Sequence, residues 1–159
     1  MSKNCNPFGK KCEQNTNYTA KEIVFKDKKA APEFRVLNNS RHFLIKLKVD
    51  GCLLGEKIGV RKCDFLLLDC TDNKAFFIEL KGQNLGDAID QIKSTIPQLI
   101  TKLLGFSFCC RIVQSKVFGA RQQRYKRDLT FFLKTTFPDN STKVNDLVRI
   151  ESQKIIEQI

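Results

Sequence analysis

Two apolar runs, Phe65-Leu66-Leu67-Leu68 and Ala75-Phe76-Phe77-Ile78, decide the fold expected of this chain. Each run has the length and composition of a buried strand, and the polar stretch Thr71-Asp72-Asn73 between them predicts the turn of an antiparallel hairpin. Charged side chains lie at the open end of this hairpin, because Asp64 precedes the first run and Glu79-Leu80-Lys81 closes the second. The sequence therefore predicts two carboxylates and an ammonium at the ends of neighbouring buried strands.

The position of the turn decides which of these side chains lie opposite one another. A turn centred on Thr71-Asp72 places Asp64 opposite Glu79, and a turn centred one residue later places it opposite Lys81. Side chains alternate between the faces of a sheet, and directly opposite residues share a face. Either register therefore puts the two acids and the lysine on one face, with Asp69 on the other. Two acids beside a lysine can hold a divalent metal and an attacking water.

A second interpretation of these charges is an exposed ion pair at a fraying strand end, which contributes little to stability. Similar pairings of acid and lysine occur at Asp27-Lys28-Lys29 and Asp72-Asn73-Lys74, in polar surroundings typical of solvated loops. Glu79 and Lys81 differ because four apolar residues precede them. A charge buried there without partners would be costly, so the pair requires a reason.

The pattern of Asp64, then Glu79-x-Lys81 after a hydrophobic strand, then a helix carrying Gln91, resembles the core of the PD-(D/E)XK nuclease superfamily. This superfamily includes restriction endonucleases, Holliday-junction resolvases and RecB-like nucleases, and the resemblance covers roughly residues 44 to 118. It implies an α/β fold in which a central mixed β-sheet is flanked by helices, a restriction-endonuclease-like core. It also implies hydrolysis of nucleic-acid phosphodiester bonds, with DNA favoured over RNA.

The resemblance also assigns roles to the matching residues. Asp64 and Glu79, with the backbone carbonyl of Leu80, are expected to bind Mg²⁺, or Mn²⁺ in its place, since both are hard cations that prefer oxygen ligands. Lys81 is expected to orient the attacking water or stabilise the transition state. Gln91 is expected to hold the lysine or the water, although an exposed helix glutamine remains an equal alternative.

This chain departs from the pattern of the superfamily in two places. Cys63 stands before the first acid where the pattern has proline, a substitution that the superfamily often tolerates. An acid that some members supply from an N-terminal helix has no clear counterpart, and Glu13, Glu22 and Glu33 all remain open. Asp50, in Asp50-Gly51, is a further candidate for an auxiliary acid, but we favour a turn there.

Composition points to a polyanionic partner. The chain has 28 Lys and Arg against 17 Asp and Glu, a net charge of +11, and a pI near 9.4. Such a surplus on a small domain favours nucleic acid first and an anionic membrane surface second. The membrane is the weaker partner because no stretch approaches the roughly 18 apolar residues of a spanning helix. The start of the chain lacks an apolar secretory core, so a cytoplasmic location is expected.

A second basic feature is the segment Arg121 to Arg127, which holds four cations and Tyr125. The residues expected to bind nucleic acid are Lys116, Arg121, Arg124, Lys126 and Arg127. They would contact phosphates, and the tyrosine could stack on a base. The alternative, a solvated helix face, has equal weight. A non-catalytic basic module that binds DNA or RNA would explain the charge as well as a nuclease does.

The 159 residues have the size of one domain, and we expect a single nuclease-like domain over 1–159. Residues 1–30 are predicted to form a flexible N-terminal arm or, around Lys21 to Ala31, a short helix. Apolar periodicity predicts a helix over Leu85 to Leu104, with a kink or break at Pro97. A strand is predicted over Phe106 to Phe118, and Lys143 to Ile159 is expected to form a strand and a tail. A homodimer remains open.

The seven cysteines are predicted to be mostly reduced thiols, because an odd number in a chain without a signal peptide is not a disulfide framework. Cys63, Cys70, Cys109 and Cys110 lie within or beside apolar runs, where free cysteine behaves as a small hydrophobe. Their spacings do not favour structural zinc. With His42 as the only histidine, a catalytic Cys/His pair has no support either.

Overall fold

A computed structural model describes residues 4–27, 31–55, 59–81, 84–116, 119–139 and 144–159. The strands are β1 (Glu22–Lys26), β2 (Glu33–Leu37), β3 (Leu44–Lys48), β4 (Phe65–Asp69), β5 (Lys74–Lys81), β6 (Ser107–Gln114), β7 (Val148–Ser152) and β8 (Lys154–Gln158). The helices are α1 (Leu85–Leu99), α2 (Gly119–Thr136) and the short α3 (Val144–Leu147).

The central sheet has five strands in the order β3-β4-β5-β6-β7. Its first three strands are antiparallel, whereas β5, β6 and β7 run parallel. A second sheet has the order β1-β2-β8, with an antiparallel and a parallel pairing. The expected α/β class with a central mixed sheet is confirmed.

The central sheet is covered differently on its two faces. One face packs against α1 and α2, through residues such as Leu66, Phe77 and Ile89. The other face packs against the second sheet, with Phe65 and Ile78 among the shared core residues. The expectation of helices flanking the sheet therefore holds for one face only. The two-sided covering explains why β4 and β5 are apolar along their length rather than alternating in polarity.

Helix α1 begins at an Asn84 cap, whose side chain accepts a hydrogen bond from the Asp87 N–H. Its buried stripe follows the predicted periodicity. Pro97 lies in the last turn, and the α-helix ends two residues later in a 3-10 turn over Ile100–Lys102. The end therefore falls where the missing backbone donor of the proline predicts a break. None of the described helices combines the length and apolarity needed to cross a membrane.

The prediction of mostly reduced cysteines was wrong. Disulfides join Cys5 to Cys70 and Cys12 to Cys52, whereas the other three cysteines are buried and belong to neither disulfide. The partners are 65 and 40 residues apart in the chain, so their approach depends on tertiary packing that cysteine spacing does not reveal. Disulfides persist mainly in oxidising compartments. The cytoplasmic location stays a prediction.

The N-terminal segment is packed on the domain over residues 4–27. Backbone hydrogen bonds connect Gln14 to Lys46 and Cys12 to Lys48, which places this segment along the outer side of β3. Residues 22–26 form β1 rather than the short helix, because Ile23 and Phe25 alternate inward to cover the second core. Parts of three predicted segments lie outside the described residues. They are residues 1–3 and 28–30 of the N-terminal arm, residues 117–118 of the strand predicted over Phe106 to Phe118, and residue 143 at the start of the predicted C-terminal strand.

Candidate active site

The hairpin of β4 and β5 has the first of the two predicted registers. Phe65 lies opposite Ile78, so Asp64 falls opposite Glu79. The Asp64 N–H donates to Oε2 of Glu79 at 3.0 Å, and the Leu80 N–H donates to Oδ2 of Asp64 at 2.9 Å. The Glu79 carboxylate is thus held by the backbone of Asp64, and the Asp64 carboxylate is held by the backbone of the residue that follows Glu79. The structure brings the two acids together at the end of the hairpin.

Alternation along β5 sets the direction of the charged side chains. Phe77 belongs to the core under the helices, and Ile78 and Leu80 belong to the core between the sheets. Glu79 and Lys81 therefore share the helix-covered face with Phe77. Asp69 lies at the other end of the hairpin and, like Phe65, falls on the opposite face, as the alternation predicts.

The two acids have an unusual electrostatic environment. Glu79 is only 1% exposed, and burial, together with the negative charge of Asp64, raises its pKa to about 9 despite the opposing effect of Lys81. Burial also raises the pKa of the partly buried Asp64, although the Leu80 N–H and Lys48 act in the other direction. Two close carboxyl groups that disfavour their own ionisation form a site in which a divalent cation would compensate the charge.

Lys81 is held by a hydrogen-bonded chain that reaches across to α1. Its Nζ donates to Oε1 of Gln91 at 3.0 Å, and Nε2 of Gln91 donates to the backbone carbonyl of Lys62 at 3.0 Å. The next turn of the helix is fixed as well, since Thr95 Oγ1 donates to the Gln91 carbonyl and accepts from the Cys63 N–H. Gln91 is therefore not a free surface glutamine. It joins Lys81 to the segment that leads into Asp64.

Asp50 lies near this group and also forms the turn predicted for it. Its negative charge contributes to the raised pKa of both Asp64 and Glu79, and its Oδ1 lies 3.7 Å from Nζ of Lys62. The Lys62 Nζ in turn donates to the carbonyl of Gly55. Asp50 is thus close enough to influence the acids without a direct hydrogen bond to them among the described contacts.

The basic residues predicted to bind nucleic acid lie on α2 and just after β6. Arg121, Arg124 and Arg127 are exposed on α2, and Lys126 is partly buried. Among the described residues, none of these four forms a hydrogen bond or ion pair with Asp64, Glu79 or Lys81. The start of α2 nevertheless lies against the start of α1, because a Cβ added at Gly86 would come within 3.1 Å of the Tyr125 hydroxyl. Lys116 is exposed just after β6 and follows Ser115, whose N–H donates to the carbonyl of Lys81.

Sequence reasoning missed a group of lysines beside Asp64. Lys46 and Lys48 of β3, together with Lys26 of β1, border a pocket that also contains Asp64. The alternation of lysine with apolar residues along β3 predicts that Lys46 and Lys48 share a face. Their approach to Asp64 depends on strand pairing, because Lys48 lies opposite Phe65.

Gln114 was also missed. It lies beside Lys81 in the parallel pairing of β5 and β6 and is 2% exposed. Within the described part of the chain, its Nε2 is a buried side-chain donor without a hydrogen-bond partner. Such unpaired donors are rare in folded proteins, and this one lies beside the candidate active site.

A second group with metal-ligand chemistry lies at the far end of the hairpin. Ligand atoms of His42, Asp69 and Asp72 are within 4.8 Å of one another. Asp69 is already engaged, because its Oδ2 contacts Nδ1 of His42 at 2.8 Å and its Oδ1 accepts from the N–H groups of Thr71 and Asp72. These contacts stabilise the turn and explain the burial of Asp69 without a metal.

Neither protein-family models, nor curated proteins, nor solved structures give a match to this chain. Its function is therefore argued from the arrangement of the side chains.

Proposed function

We propose that this chain is a metal-dependent nuclease of the PD-(D/E)XK type, which hydrolyses phosphodiester bonds of nucleic acid, with DNA favoured. The mixed sheet supports a restriction-endonuclease-like core, since an antiparallel hairpin leads through α1 into a parallel strand. The observation that carries the proposal is the meeting of Asp64 and Glu79, with Lys81 held beside them by Gln91. The net charge of +11 supports a polyanionic substrate.

The proposed metal ligands are the carboxylates of Asp64 and Glu79 and the carbonyl of Leu80. In a strand the N–H and C=O of one residue point to the same side. Since the Leu80 N–H donates to Asp64, its carbonyl is directed to that side too. All three donors are oxygen atoms, the ligands that Mg²⁺ and Mn²⁺ prefer. A bound divalent cation supplies a water of lowered pKa and neutralises charge on the phosphate.

Lys81 would place a positive charge where negative charge develops on the phosphate, and would orient the attacking water. Its flexible ammonium needs a fixed partner to do so. The Gln91 amide is that partner, and the Lys62 carbonyl prevents the amide from turning over because it accepts from Nε2. Lys81 is thus held by Gln91 of α1, and Gln91 is held by Lys62 in the segment before β4.

The direct test is incubation of the protein with plasmid DNA, linear DNA and RNA in Mg²⁺, Mn²⁺ or EDTA. The proposal predicts cleavage that EDTA and Glu79→Ala abolish. Salt-sensitive binding without cleavage would instead identify a non-catalytic basic DNA- or RNA-binding module. That second function is favoured by one observation: a Glu79 whose pKa is about 9 holds its proton at neutral pH in the absence of a cation.

Removal of the Gln91 amide should slow cleavage without unfolding the protein. We expect Gln91→Leu to lower kcat by about 10- to 100-fold, the usual effect of losing a residue that orients an active-site group. The control is Gln98→Leu, which removes an exposed glutamine from the same helix, where it contacts only the Ser94 carbonyl among the described residues. Equal kcat values for the two variants, measured on the same substrate, would contradict the role of Gln91.

A further inference from the structure

Three lysines surround a pocket next to the candidate active site. It has a volume of about 410 Å³, within the range of about 300 to 1,000 Å³ that ligand pockets occupy. Lys26, Lys46 and Lys48 border it, and Asp64 forms part of its wall. Asp64 is therefore shared between the pocket and the acids of the hairpin.

The two lysines of β3 are held in place by aromatic rings. Their Nζ atoms lie 5.1 Å (Lys46) and 4.7 Å (Lys48) from the centroid of the Phe65 ring, and that of Lys46 lies 4.8 Å from the Phe25 ring. Ring faces attract ammonium groups at these distances. Nζ of Lys46 also donates to the carbonyl of Val24 at 2.8 Å. An ammonium has three donors, and this contact uses one of them.

The pocket concentrates positive charge. Burial and the neighbouring charge of Lys48 lower the pKa of Lys46, so the two ammonium groups repel each other in a partly desolvated space. The wall holds three lysines against two acids, Asp27 and Asp64. If Asp64 binds a divalent cation, as the proposed function requires, its charge is offset and the pocket becomes more positive still. A multivalent anion with several acceptor oxygens would relieve this repulsion.

We propose that this pocket binds a phosphate group of the nucleic-acid strand, adjacent to the phosphodiester that is cut at Asp64 and Glu79. The inference rests on the proposed function for the position of the scissile bond. The nucleic-acid strand would then pass over β3, on the face of the central sheet that packs against the second sheet. The exposed cations of α2 would then lie on the other side of the acids, since α2 packs on the opposite face.

The test compares Lys46→Gln/Lys48→Gln with a control that loses the same charge elsewhere. Lys102→Gln/Lys134→Gln is suitable, because both lysines are exposed and neither borders the pocket. Lys102 lies just after α1, and Lys134 lies in the last turn of α2. Binding to a fluorescein-labelled DNA duplex and to the matching single strand is measured in EDTA over a range of NaCl concentrations. We expect the pocket variant to lose about tenfold in affinity and the slope of log K against log salt to shrink by about 1 to 2.

A second variant keeps the test decisive if the loss of Lys46 disturbs packing around Phe25. Lys26→Gln/Lys48→Gln removes an exposed and a partly buried ammonium and leaves Lys46 in place. Inorganic pyrophosphate is the second probe: it should raise the Tm of the wild type by about 2 to 4 °C and that of neither pocket variant. If the pocket prefers duplex or single-stranded DNA, the pocket variants should lose more affinity for that one of the two DNA probes.

The outcomes separate this inference from the proposed function. Equal losses of affinity and slope in the pocket and control variants would overturn the pocket, even if the wild type cleaves DNA. A selective loss in the pocket variants, with no cleavage by the wild type under any metal condition, would support the phosphate site and overturn the nuclease. A selective rise of Tm with anionic lipid vesicles, and none with pyrophosphate or DNA, would assign the pocket to a membrane and overturn the inference.

Discussion

Glu79→Gln is expected to abolish metal-dependent cleavage while leaving the folded protein intact. A metal ion contributes several kcal/mol of transition-state stabilisation, so loss of a ligand should lower kcat by about 10³-fold or more. The fold should tolerate the change, because the amide keeps the shape of the carboxyl and its oxygen can still accept from the Asp64 N–H. Initial rates in Mg²⁺ measure the first effect and urea unfolding at pH 7 the second.

The same variant carries a pH signature. The raised pKa of Glu79 means that the folded state keeps a proton that the unfolded state, with an ordinary value of 4.5, releases. The stability that the protonated Glu79 contributes to the folded state is thus fully present below pH 4.5. It is lost as the pH rises toward about 9, where the folded protein also releases the proton. In EDTA, the free energy of unfolding of the wild type should fall by at most about 1.4 kcal/mol per pH unit from this group. Glu79→Gln should remove that component.

The control for both effects is Glu151→Gln, in the edge strand β7, where Glu151 pairs with Arg149. It should leave the cleavage rate and the pH dependence nearly unchanged. If Glu79→Gln cleaved DNA at the wild-type rate, Glu79 would not be a metal ligand. If the free energy of unfolding of Glu79→Gln fell by several kcal/mol at pH 7, Glu79 would instead be an ionised group that stabilises the fold.

Arg111→Met is expected to produce the largest loss of stability, about 3 to 5 kcal/mol, because it leaves a largely buried carboxylate without its main partner. Arg111 is 1% exposed on β6. Its Nε donates to Oε2 of Glu157 at 2.7 Å and its Nη2 donates to Oε1 at 3.1 Å. The carbonyls of Cys110 and Asp146 accept from Nη1. Since Glu157 belongs to β8, this ion pair joins the central sheet to the second sheet.

The matched control is Arg149→Met, which removes the other cation that contacts Glu157. Nη1 of Arg149 lies 3.0 Å from Oε2 of Glu157, but the side chain is 30% exposed. Solvent-exposed pairs contribute about 0 to 1 kcal/mol, so the loss should be several-fold smaller. Unfolding by urea measures both free energies. Equal losses in the two variants would show that burial does not decide the strength of this pair.

Local sequence patterns were sufficient for the hairpin and for the helix that follows it. The polar turn around Thr71 and Asp72 narrowed the register to two choices, and both put Asp64 on the face of Glu79 and Lys81. The period of α1 placed Gln91 on a flank of the apolar stripe. The hairpin register and the helix are confirmed, because residues close together in the chain determine both.

The features that were missed depend on residues far apart in the chain. The second sheet pairs β2 with β8, so Phe34 lies beside Ile155, and neither strand reveals its partner by composition. The same is true of the disulfides, and of the pocket that brings Lys46 of β3 to Asp64. The prediction of a short helix around Lys21 to Ala31 failed for this reason, since Phe25 of β1 packs in the core between the two sheets.

The central claim is that Asp64 and Glu79 together hold a divalent cation. Isothermal titration of Mn²⁺ into the metal-free protein at pH 8, in two buffers of different ionisation enthalpy, measures both binding and the protons it releases. The account predicts that the wild type binds Mn²⁺ with release of a proton from Glu79, whose pKa is raised to about 9, and that Asp64→Asn and Glu79→Gln each lose this binding. Mn²⁺ binding of equal affinity and stoichiometry in the wild type and both variants would contradict it.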